Sequence, residues 1–216
     1  MLEDMLLMIR NPRLAINTML TARQKVKFYN HMHEIFFSQP YYWLQQRAKP
    51  HTTLIDIGAF IGDTAAYFAM NPNIDRVIAY ESHPQTFKML RENINSMPQG
   101  IRSKILIRNK PILGKGSYVH NSENSITGNN RVVLGGDIKA TTLGIALSGL
   151  KNVMIKSDVE GAEYQIFSHP ADLKEVYAVQ LEYHKGYAKI QDFFEKAGFK
   201  CTHDSKVDLG YLSAFK

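Results

Sequence analysis

The spacing of apolar residues along the chain changes near residue 50. Residues 1–48 carry Leu, Met, Phe and Tyr at intervals typical of helices, with breaks at Asn11-Pro12 and Ser38-Gln39-Pro40, where proline interrupts a helix. Beyond Lys49-Pro50, short apolar and β-branched runs alternate with stretches of helical spacing. We therefore expect an N-terminal helical segment over residues 1–49 and an α/β domain over residues 50–216.

Strands and helices alternate in the predicted domain. The predicted strands are 52–57, 76–80, 103–107, 153–157, 176–182, 199–202 and 211–215, and the predicted helices are 62–69, 84–94, 141–147 and 187–197. This alternation indicates a mostly parallel sheet with helices on both faces. The loop before the last strand has about eight residues, which is too few for a parallel crossover, so this strand should be reversed. The pattern predicts a Rossmann-like, seven-stranded sheet, with residues 109–136 as a β-hairpin insertion or a loop over the site.

Two glycines mark the turn after the first predicted strand. Asp56 lies near the strand's end, Gly58 and Gly62 bracket the turn, and a helix begins at once. Glycine lets the backbone approach a ligand closely and enter a helix tightly, and ligands of open α/β sheets bind beyond the carboxyl ends of the strands. A carboxylate at Asp56 suits a ligand with an ammonium group, although an ordinary turn between strand and helix would also explain the glycines alone.

A second acid ends the next predicted strand. Glu81 follows Val77–Tyr80 and lies nineteen residues after Gly62. An acid about 20 residues beyond such a turn is placed to bind the hydroxyls of a ribose. The two features together predict a cofactor that contains a nucleoside. The glycine spacing departs from that of dinucleotide sites, and Phe60 would crowd a pyrophosphate.

Acidic residues gather where two later strands end. Asp158 and Glu160 follow the strand at 153–157, and Glu182 ends the strand at 176–182, with a histidine, His184, two residues beyond it. Residues two apart on a strand share a face, so Glu182 and His184 are expected to point together. Clustered carboxylates repel one another unless a cation or a shared proton compensates. A divalent cation and a histidine base both remain open, and Glu160 would also suit the start of a helix.

Three segments resemble the FkbM family of methyltransferases: Asp56-Ile-Gly-Ala-Phe-Ile-Gly-Asp63, Tyr80-Glu-Ser-His-Pro84 and Lys156-Ser-Asp-Val-Glu-Gly-Ala-Glu163. Leu90–Asn93 and Thr141–Leu143 agree more weakly, and the resemblance spans roughly residues 52–185. It implies a Rossmann-like methyltransferase that uses S-adenosylmethionine, typically to O-methylate sugars or small natural products. The chain departs from the family at Gly144, where an acid is often found, and at Ser157, where an apolar or acidic residue is common.

These observations assign two sets of site residues. The cofactor set is Asp56, Gly58, Ala59, Phe60, Gly62, Glu81, Ser82 and Asn109, with Asn109 expected beside an adenine ring. The set for acceptor positioning, proton removal or a divalent cation is Asp158, Glu160, Glu182 and His184. Two alternatives are a nicotinamide-dependent oxidoreductase and a non-catalytic protein that binds a nucleoside cofactor.

Charge and composition limit the classes of partner and the cellular location that we expect for this protein. The net charge is +6, and residues 1–50 supply seven Lys or Arg against three Asp or Glu. Their aromatic residues are spaced for packing rather than interleaved with the charges, so we expect a saccharide or small-molecule acceptor and no nucleic acid. The N-terminal segment is expected to cap the site or to form a homo-oligomer contact. A single cysteine, Cys201, excludes an internal disulfide, and the absence of a basic leader or a long apolar run favours a cytoplasmic protein without a membrane span.

Overall fold

Ten strands are present in the computed structural model, which describes residues 35, 40–114, 118–121, 132–134, 138–204 and 208–216. In chain order the strands are β1 (Thr52–Ile57), β2 (Ile74–Tyr80), β3 (Ile105–Arg108), β4 (Tyr118–Asn121), β5 (Val132–Leu134), β6 (Ile138–Lys139), β7 (Val153–Ser157), β8 (Val176–Tyr183), β9 (Lys200–His203) and β10 (Gly210–Phe215). Seven of them form the main sheet, and β4, β5 and β6 form a separate antiparallel sheet.

The main sheet has the order β3-β2-β1-β7-β8-β10-β9. All neighbours are parallel except β10, which runs antiparallel to both β8 and β9. The Rossmann-like sheet with a reversed last strand is therefore confirmed. β10 lies inside the sheet and β9 forms its edge. The short connection between β9 and β10 permits only an antiparallel pair, which explains why β10 is reversed.

Seven short α-helices accompany the strands in the described residues. They are α1 (Tyr42–Gln45), α2 (Asp63–Ala69), α3 (Pro84–Asn95), α4 (Gln99–Arg102), α5 (Leu143–Leu147), α6 (Glu163–Ile166) and α7 (Ala188–Lys196), with a 3₁₀ helix at Pro170–Leu173. The side chain of His83 caps the start of α3, and that of Thr142 caps the start of α5. No helix in these parts of the chain has the length and apolar content needed to cross a bilayer.

The two faces of the sheet have separate hydrophobic cores. Alternate residues of each strand point to opposite faces. Leu54 and Met154 thus pack on the face that carries α1, α2 and α3, whereas Ile55 and Ile155 pack on the face that carries α5 and α7. Both faces of the central strands are covered, which explains why β1 and β7 are almost continuously buried.

The region before β1 lies only partly within the described residues. The helices expected before residue 40 fall outside them, apart from residue 35. Tyr41, Leu44 and Ala48 are buried in the same core as β1 and α2. Between 109 and 136, strands β4 and β5 pair antiparallel, in agreement with the hairpin alternative.

Candidate active site

A cavity of about 300 Å³ lies beyond the carboxyl ends of β1, β2, β7 and β8. The order of the sheet reverses at this point, because the chain moves from β1 outward to β3 and then returns to β7 on the other side of β1. Such a switch point leaves a crevice between the loops of the two halves. Four residues of the expected cofactor set (Gly58, Phe60, Glu81 and Ser82) and three of the acceptor set (Asp158, Glu160 and Glu182) line the cavity.

Asp56 is fully buried beneath the cavity and pairs with Lys156. Asp56 on β1 and Lys156 on β7 are neighbours in the strand register, and Lys156 Nζ lies 3.1 Å from Asp56 Oδ1. The same ammonium donates to the carbonyl oxygen of Gly58 at 2.9 Å, and Thr64 Oγ1 donates to Asp56 Oδ2 at 2.7 Å. Burial lowers the pKa of Lys156, but Asp56, Asp158 and Asp63 raise it more, and the net direction is upward.

Lys156 therefore stands between Asp56 and the cavity that it lines. Asp56 Oδ2 accepts the hydrogen bond from Thr64, whereas Oδ1 lies in the ion pair with Lys156 but accepts no hydrogen bond from the described residues. Direct contact between Asp56 and a cofactor ammonium stays a prediction. The position of Asp56 supports a different role, which is to hold the buried Lys156 in its charged form at the cavity wall.

The two glycines of the first turn are required for different reasons. At Gly58 (φ +75°) an added Cβ would lie 1.8 Å from the carbonyl oxygen of Asp158. The close approach that this glycine allows in the structure is to the carbonyl of Asp158, in the loop after β7. Gly58 also lines the cavity, and the close approach of a ligand to its backbone stays a prediction. Gly62 has φ +91° and directly precedes α2, so it allows the tight helix entry that was predicted. Phe60 is a non-glycine residue with φ +46°, a strained conformation that is concentrated at functional sites.

Glu81 is buried and held by the backbone on both sides. The amide of Phe60 donates to Glu81 Oε2 at 3.0 Å, and the amide of His83 donates to Oε1 at 2.7 Å. Burial raises the pKa of Glu81 to about 7, against the lowering effect of these two hydrogen bonds. The carboxylate is therefore fixed in orientation at the end of β2, where it lines the cavity.

Four members of the expected cofactor set lie away from the cavity wall: Asp56, described above, and Ala59, Gly62 and Asn109. Ala59 is fully buried. Asn109 Nδ2 donates to the carbonyl oxygens of Glu81 (2.8 Å) and Ser82 (3.2 Å). Asn109 thus supports the loop after β2, and its contact with an adenine ring stays a prediction.

Asp158 and Glu182 form a carboxyl pair at the cavity wall. Burial, together with the charge and the hydrogen bond of Asp158, raises the pKa of Glu182 to about 7. A raised value is expected where two acids share one site, because both cannot ionise at low cost. Tyr41 Oη donates to Asp158 Oδ2 at 3.5 Å. The pair can therefore hold one proton near neutral pH.

His184 is enclosed by two other acids, Glu160 and Glu163. Its Nδ1 lies 2.7 Å from Glu163 Oε1, and its Nε2 lies 3.3 Å from Glu160 Oε2. Hydrogen bonds to Glu160 and Glu163 raise the pKa of His184 to about 10, against the effect of burial. Glu182 and His184 also interact electrostatically, but His184 is not among the residues that line the cavity.

One group of possible metal ligands is present in the described part of the chain. Asp158, Glu160 and His184 each offer one ligand atom, and these atoms lie within 4.8 Å of one another. Oxygen and imidazole ligands of this kind suit divalent cations. The proximity that the sequence predicted for these three residues is thus present, whereas metal binding itself stays a prediction.

Several cavity residues were not assigned from the sequence: Tyr41, Asp63, Thr64, Lys110, Lys156 and Tyr211. Asp63 and Lys156 lie inside the segments that resemble the FkbM family, so the sequence contained information that could have marked both as site residues. Tyr41 follows a predicted break and Tyr211 begins a predicted strand. At both positions the sequence shows only an aromatic side chain, which is equally typical of core packing. Only the fold shows that the two rings meet, with centroids 5.9 Å apart.

Comparison with solved structures supports the fold. The ribosomal protein L11 methylase from Lactobacillus delbrueckii subsp. bulgaricus is 14% identical, with 83% of this chain and 78% of that chain covered and a TM-score of 0.52. The METTL16 methyltransferase domain is also 14% identical, with 87% and 66% covered and a TM-score of 0.51. At such low identity these similarities show the fold alone.

Sequence comparison identifies the family. Among curated proteins, none matches this sequence. The profile described as the methyltransferase FkbM domain matches residues 56–201, which is more than half of the chain. The match includes the turn after β1, Glu81 and the acids after β7, and it decides against the nicotinamide-dependent alternative. The chain belongs to the FkbM methyltransferase family and is an S-adenosylmethionine-dependent methyltransferase.

Proposed function

We propose that this enzyme methylates a hydroxyl oxygen of a saccharide or another small molecule. The observation that carries the proposal is the Asp158–Glu182 pair on the wall of the cavity. An alcohol is a poor nucleophile until a base removes its proton during the reaction. A carboxyl pair that holds a single proton near pH 7 contains one carboxylate able to accept that proton.

The other side of the cavity fits the cofactor. Glu81 is held by two backbone amides at the place where an acid would bind ribose hydroxyls. Lys156 presents a buried positive charge, which suits the carboxylate of an amino-acid group, and Asp63 and Thr64 line the wall beside it. S-adenosylmethionine supplies a methyl group on a sulfonium, while the residues of this chain orient the two reactants and receive the proton.

His184 is a weaker candidate for the base and for a metal ligand. Both of its ring nitrogens face carboxylates, Glu163 on one side and Glu160 on the other, and its pKa of about 10 makes it an imidazolium at neutral pH. An imidazolium has no free lone pair to accept a proton or to bind a metal. Its positive charge compensates the surrounding acids, so we propose that methyl transfer proceeds without a divalent cation.

A transfer assay tests the acceptor class. The purified enzyme is incubated with S-adenosylmethionine labelled in the methyl group, and with separate panels of saccharides, phenols, amines and RNA. We expect label on oxygen in one of the first two panels, with rates unchanged by a chelator. Label confined to amines or RNA would overturn the proposed acceptor class, and loss of activity with a chelator that added Mg²⁺ or Mn²⁺ restores would overturn the metal-free form.

A matched pair of variants tests the base. Asp158→Asn keeps the volume of the side chain and removes its charge. Asp192→Asn makes the same change on the exposed surface of α7, where the side chain is 59% exposed. Only Asp158→Asn should slow methyl transfer, by about 10²-fold or more, while S-adenosylhomocysteine still binds.

A further inference from the structure

We propose that the ring of Phe60 binds the positively charged sulfonium of S-adenosylmethionine and thereby raises the affinity for the methyl donor relative to the product, S-adenosylhomocysteine. This inference rests on the cofactor placement proposed above, with the ribose at Glu81 and the amino-acid carboxylate at Lys156. It does not depend on the identity of the acceptor, because the binding of donor and product can each be measured without one.

The turn after β1 runs between the two ends of the proposed cofactor site. At its start, the carbonyl oxygen of Gly58 accepts a hydrogen bond of 2.9 Å from Lys156 Nζ. Two residues later, the amide of Phe60 donates a hydrogen bond of 3.0 Å to Glu81 Oε2. In S-adenosylmethionine the sulfonium joins the ribose to the amino-acid chain. A ribose at Glu81 and a carboxylate at Lys156 therefore put the sulfur beside this turn.

The ring of Phe60 lies at the cavity. Phe60 is half-buried, packs against the core that contains α2 and α3, and lines the cavity. Its side chain has no polar atom, so its attraction for a cation comes from the negative face of the ring. Three other aromatic residues line the cavity, namely Tyr41, Tyr80 and Tyr211. They lie outside the turn, and the ring of Tyr41 already has the ammonium of Lys156 at 5.4 Å.

The backbone of Phe60 is a second, independent reason to assign a function to the ring. Its φ is +46°, in the left-handed region that glycine adopts readily and other residues rarely do. Gly58 and Gly62, two residues to either side, also have positive φ values. At residue 60 the turn retains a large aromatic side chain despite the strain. Strained residues of this kind cluster at ligand sites and active sites.

A contact between the ring and the sulfonium changes during the reaction. As the methyl carbon bonds to the acceptor, its bond to sulfur breaks and the electron pair of that bond stays on sulfur. The sulfur becomes a neutral thioether, so the attraction to the face of the ring is lost. The contacts to the ribose and the carboxylate are common to donor and product. Phe60 therefore favours the replacement of S-adenosylhomocysteine by a new S-adenosylmethionine.

Calorimetric titration of the whole chain, without acceptor, measures the dissociation constants of both ligands. Phe60→Leu keeps an apolar side chain and a Cβ in the turn but removes the aromatic face. Phe87→Leu is the matched control, because Phe87 is also half-buried and packs against the same core but is not among the residues that line the cavity. A series of fluorinated phenylalanines at residue 60 weakens the negative face while nearly keeping the shape of the ring, so it tests the charge even if Phe60→Leu does not fold.

The measured quantity is the dissociation constant of S-adenosylhomocysteine divided by that of S-adenosylmethionine. In Phe60→Leu this ratio should fall about 2- to 30-fold, the range that one cation–π contact covers, chiefly because S-adenosylmethionine binds more weakly. Increasing fluorination of Phe60 should lower the ratio stepwise. Phe87→Leu should leave the ratio as in wild type.

A ratio that is the same in wild type, Phe60→Leu and the fluorinated proteins would overturn the inference, even with both affinities reduced, because equal losses indicate packing alone. A fall in Phe87→Leu as large as that in Phe60→Leu would overturn it too. The cofactor placement is tested by a different result, since loss of a ribose contact in Glu81→Gln weakens both ligands alike. Failure to find a hydroxyl acceptor would defeat the proposed acceptor class and leave the ratio valid.

Discussion

Substituting Gly58 by alanine tests how closely the first turn depends on the loop that carries Asp158. The new Cβ would lie 1.8 Å from the carbonyl oxygen of Asp158, whereas real Cβ contacts are not shorter than 3.0 Å, so the two backbones must separate by about 1.2 Å. That movement strains two hydrogen bonds. The Asp158 amide donates one to the carbonyl oxygen of Ile57 (3.0 Å), and Lys156 Nζ donates the other to the carbonyl oxygen of Gly58 (2.9 Å). Both bonds hold residues at the cavity.

Two costs add in Gly58→Ala. A non-glycine residue in the left-handed region costs about 1–2 kcal/mol, and forcing extra atoms into a packed site costs about 1–3 kcal/mol. We therefore expect the free energy of unfolding to fall by about 2–5 kcal/mol. At roughly 2–4 °C per kcal/mol for a chain of this size, the melting temperature should fall by roughly 4–20 °C.

Gly149→Ala is the matched control. Gly149 has φ +74°, almost the same as Gly58, but no neighbouring atom lies within 4 Å of the added Cβ, so only the conformational cost of about 1–2 kcal/mol applies. Urea denaturation measures the free energy of unfolding, and calorimetric titration measures affinity for S-adenosylhomocysteine. Equal losses of stability in the two variants, with equal affinities, would refute the close contact between the turn and Asp158.

Three further predictions concern the acids of the site. Glu81→Gln should raise the dissociation constant of S-adenosylhomocysteine about tenfold to hundredfold by calorimetry, because hydrogen bonds to a charged group contribute ~1.5–3 kcal/mol; an unchanged constant in a folded variant would exclude a ribose contact. Asp158→Asn should reduce turnover by about 10²-fold or more with cofactor affinity retained, as measured by methyl transfer. Burial and the neighbouring Asp158 raise the pKa of Glu182 from its ordinary value of 4.5 to about 7 in the folded protein. The contribution of Glu182 to stability is therefore present below pH 4.5 and is lost as the pH rises through 7. Glu182→Gln should flatten that decline in urea-denaturation profiles, and an unaltered profile would contradict the raised pKa.

Local patterns in the sequence determined most of the secondary structure and the class of the fold. The apolar, β-branched run predicts β1 over residues 52–57, and the structure has Thr52–Ile57. The two glycines predict a turn into a helix, and α2 begins at Asp63, directly after Gly62. These elements depend on backbone conformation and on the periodicity of burial, which are properties of neighbouring residues. The same reasoning placed Glu81 and Asp158 at strand ends, and both line the cavity.

The partners of these residues were decided only by the tertiary structure. Lys156 meets Asp56 because β7 lies beside β1 in one register, and a shift of one residue would turn each side chain to the other face. Tyr41 meets Asp158 across 117 residues of sequence, and Gly58 is required by the carbonyl of Asp158. Strand order, register and the approach of loops depend on how the two cores pack as a whole. No local pattern contains that information, so the sequence by itself could name the acids of the site but not the groups that set their charge.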